Sequence, residues 1–390
     1  MLRFVTSGES HGKCLTGIIE GLPSGLQVDV DFINLQLRRR QLGYGRGGRM
    51  QIEQDRIDIT AGVRHGKTLG SPVAFIVWNK DWEHWEVAMS PGPAPAGANL
   101  RPVTRPRPGH VDLAGALKHQ THDIRNVLER ASARETAARV AGAAFCKLLL
   151  KTFGIQIGSH VISIGSCRAM PELEHASTEQ IFALDDLSPL RCLDPEAEKR
   201  MMSLIDSAKK AGDTLGGVFE VVAGSVPPGL GSHTQWDRKL DGLIAQAFMS
   251  IPAAKAVEVG EGIACAARQG SAVHDEIFYD ALRRRFYRKT NRAGGLEAGV
   301  TNGEDVRVRV FMKPIPTLKK PLSSVDVHSK EAFEAAFERS DTCVVPAAAV
   351  IGEAMLAIVL ARAFVEKFGG DSLPEMVANY ASYQRMLDEY

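Results

Sequence analysis

The chain of 390 residues has almost no net charge, with 47 Lys and Arg against 46 Asp and Glu, a balance of +1. A surface built to blanket nucleic acid or an anionic membrane needs a large excess of one sign, so any anion site here must be local. Paired cysteines are also missing. Cys14, Cys146, Cys167, Cys192, Cys265 and Cys343 show neither a CxxC pair nor metal-finger spacing, and are expected to be reduced, buried thiols. The opening residues MLRFVTSGESHGK lack an apolar core of signal-peptide length. The longest apolar run, Ala354 to Ala361, ends at Glu353 and Arg362 and is too short to span a bilayer. A cytoplasmic location is therefore expected.

With 44% hydrophobic residues, the chain can bury a substantial core. No repeat of 20 to 50 residues stands out, and only the stretch from Pro91 to Pro108 is rich in Pro and Gly. That stretch is read as an ordered lid or site wall rather than a linker, so residues 1–390 are expected to form a single domain. Strand-like runs lie at Ile57–Val63, Val73–Trp78, Ile155–Ile164, Val218–Ala223 and Val306–Met312. Buried helices are expected from Ser132 to Phe153, ending at Gly154, and from Pro346 to Gly369. Strands and helices do not alternate one for one, which points to a layered α+β fold.

Three motifs match in letters and fail in context. Gly8, Ser10 and Gly12 spell G-x-S-x-G, but few residues precede them and LTGIIEGLP after them reads as a strand, not the helix a serine elbow requires. Gly43, Gly45 and Gly48 spell GxGxxG, yet Arg38, Arg39 and Arg40 stand where a dinucleotide fold needs a strand. Gly62, Gly66, Lys67 and Thr68 fall one residue short of a phosphate loop and run on into the strand-like LGSPVAFIVW.

What is present is arginine. Residues 1 to 140 hold 15 Arg and only 4 Lys. A planar guanidinium grips a carboxylate or phosphate with two parallel hydrogen bonds and stays charged when desolvated. Arg38, Arg39, Arg40, Arg46 and Arg49 lie between Phe32 and Ile52 with no acid among them, and nearby glycines let a ligand approach the backbone. Arg38 and Arg39 also fit an ordinary solvated face. An RNA binder would place aromatics among these arginines, and Tyr44 is the only one between Leu35 and Met50. His11 and His110 each adjoin a glycine, and an imidazole titrates near neutrality. His119, His122 and Asp123 lack a third matching ligand, so no metal is expected. Asp341, just before the second buried helix, is read as ionised by the helix dipole or as a cap.

These residues sit in longer motifs: G-E-S-H-G from Gly8, R-R-Q-L-G-Y-G-R-G-G-R-M from Arg39, R-P-G-H-V-D-L from Arg107, E-R-A-S-A-R-E-T-A-A-R from Glu129, G-D-T-L-G-G from Gly212, K-P-I-P-T from Lys313 and R-S-D-T-C from Arg339. In order and nearly end to end, they resemble the chorismate synthase family. The resemblance implies anti-1,4-elimination of phosphate from 5-enolpyruvylshikimate 3-phosphate to chorismate, the last common step toward the aromatic amino acids, with reduced FMN required although the net reaction is redox-neutral. It implies a homotetramer, long helices between antiparallel sheets, and a separate reductase to supply the flavin.

Carried over motif by motif, the resemblance makes His11 the group that protonates or stabilises reduced flavin and His110 the acid for the leaving phosphate. Asp341 would assist proton removal. Ser10, Arg40, Arg46, Arg49, Arg134 and Arg339 would bind substrate, with Arg40 and Arg46 alternatively serving NADPH. Arg130, Ala131, Ser132, Pro252, Ala253, Ala298, Lys313, Pro314, Ile315, Pro316, Thr317 and Arg339 would contact FMN. Two positions depart from the commonest pattern. Ala298 stands where many relatives have Gly, and an alanine is expected at negative φ; Pro252 replaces a polar residue and has no N–H to donate. A flavin oxidoreductase acting on a small anion is the alternative function.

Overall fold

A computed structural model describes residues 1–47, 54–184, 186, 188–336 and 341–390. Arg49, Arg339 and Gly48, all named above, lie outside the described residues. Strands β1 (Arg3–Ser7), β2 (Cys14–Glu20), β3 (Ile57–Ala61) and β4 (Val73–Trp78) form an antiparallel sheet in the order β1-β2-β4-β3. Alternation sets its inner face: Leu15 and Ile19 on β2 and Val73, Phe75 and Val77 on β4 are buried. Gly17 lies opposite Phe75, and a Cβ there would fall 2.2 Å from the ring, so only glycine admits it.

The second sheet contains β5 (Gln156–Ile164), β6 (Cys167–Arg168), β7 (Gly217–Gly224), β8 (Ala254–Val259) and β9 (Val306–Met312), in the order β8-β9-β7-β5-β6. Val218–Ala223 reads as a continuous apolar run broken only by Glu220, because both faces of β7 are covered. On the outer face buried Glu220 accepts from Arg307 at 2.5 Å and from Arg309 at 3.0 Å, which satisfies the carboxylate there.

Between the sheets lie α1 (Val30–Gln41), α2 (Thr136–Thr152) and α3 (Val345–Phe368). Glycines let the layers close: a Cβ on Gly142 of α2 would meet Phe4 at 2.3 Å, and one on Gly352 of α3 would meet Phe219 at 2.7 Å. One hydrophobic cluster runs from Leu2 to Met376. The most apolar window of α3 has the length and composition to cross a membrane, but 89% of it is buried in the protein, as befits a core helix. At its centre fully buried Glu353 receives Arg39 of α1 at 2.7 Å, Lys147 of α2 at 2.6 Å and Ser159 of β5 at 2.7 Å.

The architecture is the layered α+β arrangement expected, and all five strand runs are strands. Three details differ. Arg39 is no solvated face residue but pairs with Glu353 inside the helical layer. The first long helix begins at Thr136, because Ser132 accepts from the Arg134 N–H and holds Ala133–Glu135 in a tighter 3₁₀ turn. All six cysteines are free, but Cys14, Cys167 and Cys265 are only half-buried.

Candidate active site

The G-E-S-H-G segment is a loop between β1 and β2, so no helix follows Ser10 and the serine-elbow geometry is absent. Its shape is fixed from outside. Asn79 donates to the carbonyls of Glu9 at 3.1 Å and Gly12 at 2.7 Å, and the buried Ser10 N–H donates to Glu129 O at 3.0 Å. The Glu129 carboxylate takes the His11 backbone N–H at 2.9 Å and lies 2.9 Å from Nδ1 of the same residue. Arg125 donates to it at 2.8 Å. Burial pushes the Glu129 carboxyl up, but the hydrogen bonds from His11 and Arg125 outweigh this and hold it below the usual glutamate value. An ionised carboxylate cannot donate, so Nδ1 carries the proton of this bond. The His11 ring stacks on Trp85 at 4.0 Å, and Nε2 lies 4.0 Å from Asp81. Arg101 and Arg125 both lie over Trp85, at 4.3 and 4.9 Å.

His110 stands after Gly109, whose φ of 78° favours glycine, and just before the helix Asp112–His119. Its Nδ1 meets the fully buried Asp112 carboxylate. Arg107 donates to the same carboxylate at 2.8 and 3.0 Å and to Thr317 at 3.1 Å. Burial again opposes ionisation, and His110 with Arg107 overcomes it, holding Asp112 well below the carboxylate range. Lys313 closes the group by donating to Gly109 O. Within the stretch from Pro91 to Pro108, Val327 donates to Thr104 O at 2.9 Å and Ile124 to Val103 O at 2.8 Å.

The arginines fall into two groups. Arg40 and Arg134 are buried and share Asp55, at 3.5 and 2.5 Å; Arg40 also donates to Thr136 at 2.9 Å and Arg134 to Asn79 at 2.8 Å. Burial draws Arg40 down to about 10, Asp55 opposing and Arg134 and Arg46 adding repulsion. Arg46 pairs with Asp341 at 2.8 Å, and Asp341 also accepts the Gly47 N–H at 2.5 Å. Asp341 is thus not a helix cap: α3 starts four residues later and has no side-chain cap.

A family model for chorismate synthase matches residues 2–365. The chain is 55% identical to the chorismate synthase of Solibacter usitatus, covering 100% of both chains, and 54% identical to that of Geobacter sulfurreducens, covering 98% of both. It belongs to the chorismate synthase family. A crystal structure titled chorismate synthase is 43% identical and superposes with a TM-score of 0.80, covering 100% of this chain and 99% of the other.

The fold draws several of these motifs together. Arg130, 42% exposed at the side chain, donates to the carbonyls of Gly8 and Thr6, each at 3.0 Å, so the segment holding Ala131 and Ser132 lies against the His11 loop. Residues Lys313 to Thr317 pack on the His110 segment through Lys313 and Thr317. Thr214 donates to Ile315 O at 2.7 Å, and the Lys313 N–H to Ala253 O at 3.0 Å, which brings Ala253, next to Pro252, to Lys313. Ala298 is tied to another place: it turns the small hairpin Leu296–Glu297 to Val300–Thr301, beside Lys239. The expectation of negative φ fails there. Ala298 adopts φ 51° and Ala253 φ 70°, the left-handed region, at a cost of about 1–2 kcal/mol each. A cavity lined by Arg39, Asp186, Arg191 and Pro346 has room for about 10 Å³, one water at most, and is no ligand site.

Sequence reasoning missed the partners of the two histidines. Asp112 was legible, since it follows His110 by two residues in one motif. Glu129, Trp85, Asp81 and Arg125 carried no local signal linking them to His11.

Proposed function

We propose that the chain is a carbon–oxygen lyase that converts 5-enolpyruvylshikimate 3-phosphate into chorismate by anti-1,4-elimination of phosphate, with reduced FMN. Within this reading it is a single cytoplasmic domain, a homotetramer, and takes its reduced flavin from a separate reductase. The whole-length match to chorismate synthases carries the reading. The donor set fits the cofactor: Arg130 and Lys313 offer cations to its phosphate and reduced ring, and Ala131, Ala253 and Gly109 leave the backbone uncrowded. Pro314, Ile315, Pro316, Thr317, Ser132, Pro252 and Arg339 complete the proposed flavin contacts; Ala298, also expected among them, lies on the separate hairpin.

Reduced FMN, when bound, would supply the electron density that the elimination needs at the carbon–oxygen bond to phosphate. The chain's own residues manage protons and charge. His11, with Nδ1–H committed to Glu129, holds a proton at Nε2 for the flavin side. His110, with Nδ1–H committed to Asp112, presents Nε2 to the leaving phosphate as a general acid. Asp341 assists proton removal. Ser10, Arg46, Arg49 and Arg339 bind the carboxylates and phosphate of the substrate. Arg40 and Arg134, which keep protein partners, add positive field to direct contact; Arg40 and Arg46 alternatively serve NADPH.

The test is anaerobic. Mixing the protein with 5-enolpyruvylshikimate 3-phosphate and chemically reduced FMN should release phosphate and chorismate in equal amounts without consuming nicotinamide. Absence of phosphate would sink the reading, and nicotinamide consumed in step with product would favour an oxidoreductase. His110→Ala should lower turnover by about 100-fold or more; an unchanged rate removes the acid role from His110.

A further inference from the structure

We infer that Asp112 is the positioning residue of His110: through the Nδ1 contact it fixes the ring so that Nε2 alone faces the reacting phosphate, and Arg107 in turn locks Asp112. The inference rests on the role proposed above for His110.

The geometry leaves one consistent assignment of protons. His110 Nδ1 lies within reach of Arg107 Nη2 at 3.1 Å and, closer still, of Asp112 Oδ1. Arg107 can only donate, and an ionised Asp112 can only accept. If Nδ1 were bare, it would face the carboxylate lone pairs at the shorter of the two contacts, and two acceptors would be in repulsion. Nδ1 therefore carries the proton and donates it in a hydrogen bond to Asp112, while Arg107 Nη2 directs one of its two hydrogens to Asp112 Oδ1 at 3.0 Å.

Asp112 has no freedom to do otherwise. It is fully buried. Its Oδ2 accepts the Arg107 backbone N–H at 3.0 Å and Nε at 2.8 Å. Arg107 is itself anchored at the far end on Thr317 at 3.1 Å. The carboxylate is thus held by a fork that cannot lose its charge, and its remaining oxygen is directed at the imidazole. Among the described residues, the charged groups that bond to His110 or its neighbour Gly109 are Arg107 and Asp112 on its own segment and Lys313 just after β9. Of these only Asp112 is an anion.

The experiment compares Asp112→Asn, His110→Ala and the double variant in the anaerobic elimination assay, over a range of pH. Asparagine keeps the shape but can turn an N–H toward Nδ1 and stabilise the wrong tautomer. Turnover should fall by about 100-fold with KM changed less than about threefold. In the His110→Ala background the second change should add less than about twofold, because the two residues act as one unit. Independent, multiplying effects, or a loss carried mainly by KM, would overturn the inference. If Asp112→Asn does not fold, ¹⁵N spectra of the histidine ring in the unaltered protein decide: Nδ1 should carry the proton, and a bare Nδ1 overturns the inference. Failure of the unaltered protein to release phosphate, or no loss in His110→Ala, would instead count against the role of His110.

Discussion

His11 and Glu129 stand 118 residues apart in sequence, whereas His110 and Asp112 are separated by 2, yet each pair puts an imidazole Nδ1 on a buried carboxylate that an arginine holds ionised. The difference lies in what supports them. The His11 pair joins the β1–β2 loop to the segment ahead of α2 and is faced by Trp85, so it exists only when distant parts of the chain have docked. The His110 pair is formed within one turn, and its longer-range ties, to Thr317 and Lys313, come from the end of β9. Identical proton chemistry can therefore be a product of tertiary packing in one place and of local chain geometry in another.

The largest expected effect tests that contrast through stability. Glu129→Ala leaves Arg125 buried without its carboxylate and releases the His11 loop, at a cost of about 3–5 kcal/mol. Denaturant unfolding should show this as a lower midpoint; a loss under about 1 kcal/mol would mean that the pair decorates the fold instead of supporting it.

A smaller effect separates the two sites by pH. Both carboxyls lie below their ordinary values in the folded protein, so each adds stability above the unfolded-state value near 4 and loses it as pH falls through the folded value. Asp112 is held the further below of the two. On acidification the His11 side should therefore give way first. Trp85 fluorescence, isolated by difference from Trp85→Phe, should change at a higher pH than the His110 ring signals; the reverse order would break the comparison.

The smallest effect is at the outer tie of Arg107. Thr317→Val removes one hydrogen bond to a charged donor while keeping the volume, and should cost about 1–2 kcal/mol or less in stability with a modest loss of turnover. A loss of turnover as large as that of His110→Ala would make Thr317 more than a brace.

Much of this molecule was legible from its residues. The β-branched run Val73–Trp78 announced a strand, and Ala-rich stretches announced helices that other layers must cover. The reading stopped where a residue's role depends on what docks against it. Arg39 and Arg40 adjoin in one basic run, but one runs to Glu353 in the middle of α3 and the other to Asp55, and nothing in the run distinguishes them. Asp341 reads as a helix-start acid until Arg46 and Gly47 are found on it. Ala298 at positive φ contradicts the preference of its side chain, because the hairpin around it sets the backbone.

The sequence by itself determined the layered α+β class, the family and the motifs that carry the chemistry, since periodicity, composition and long ordered matches are properties of the chain read in order. Tertiary structure alone decided which carboxylate serves His11, which arginines are bound to buried acids, and which stand near Asp341. Those outcomes depend on distances between segments far apart in the chain, and each buried charge takes whatever partner the packing brings within reach, because burying it without one costs too much.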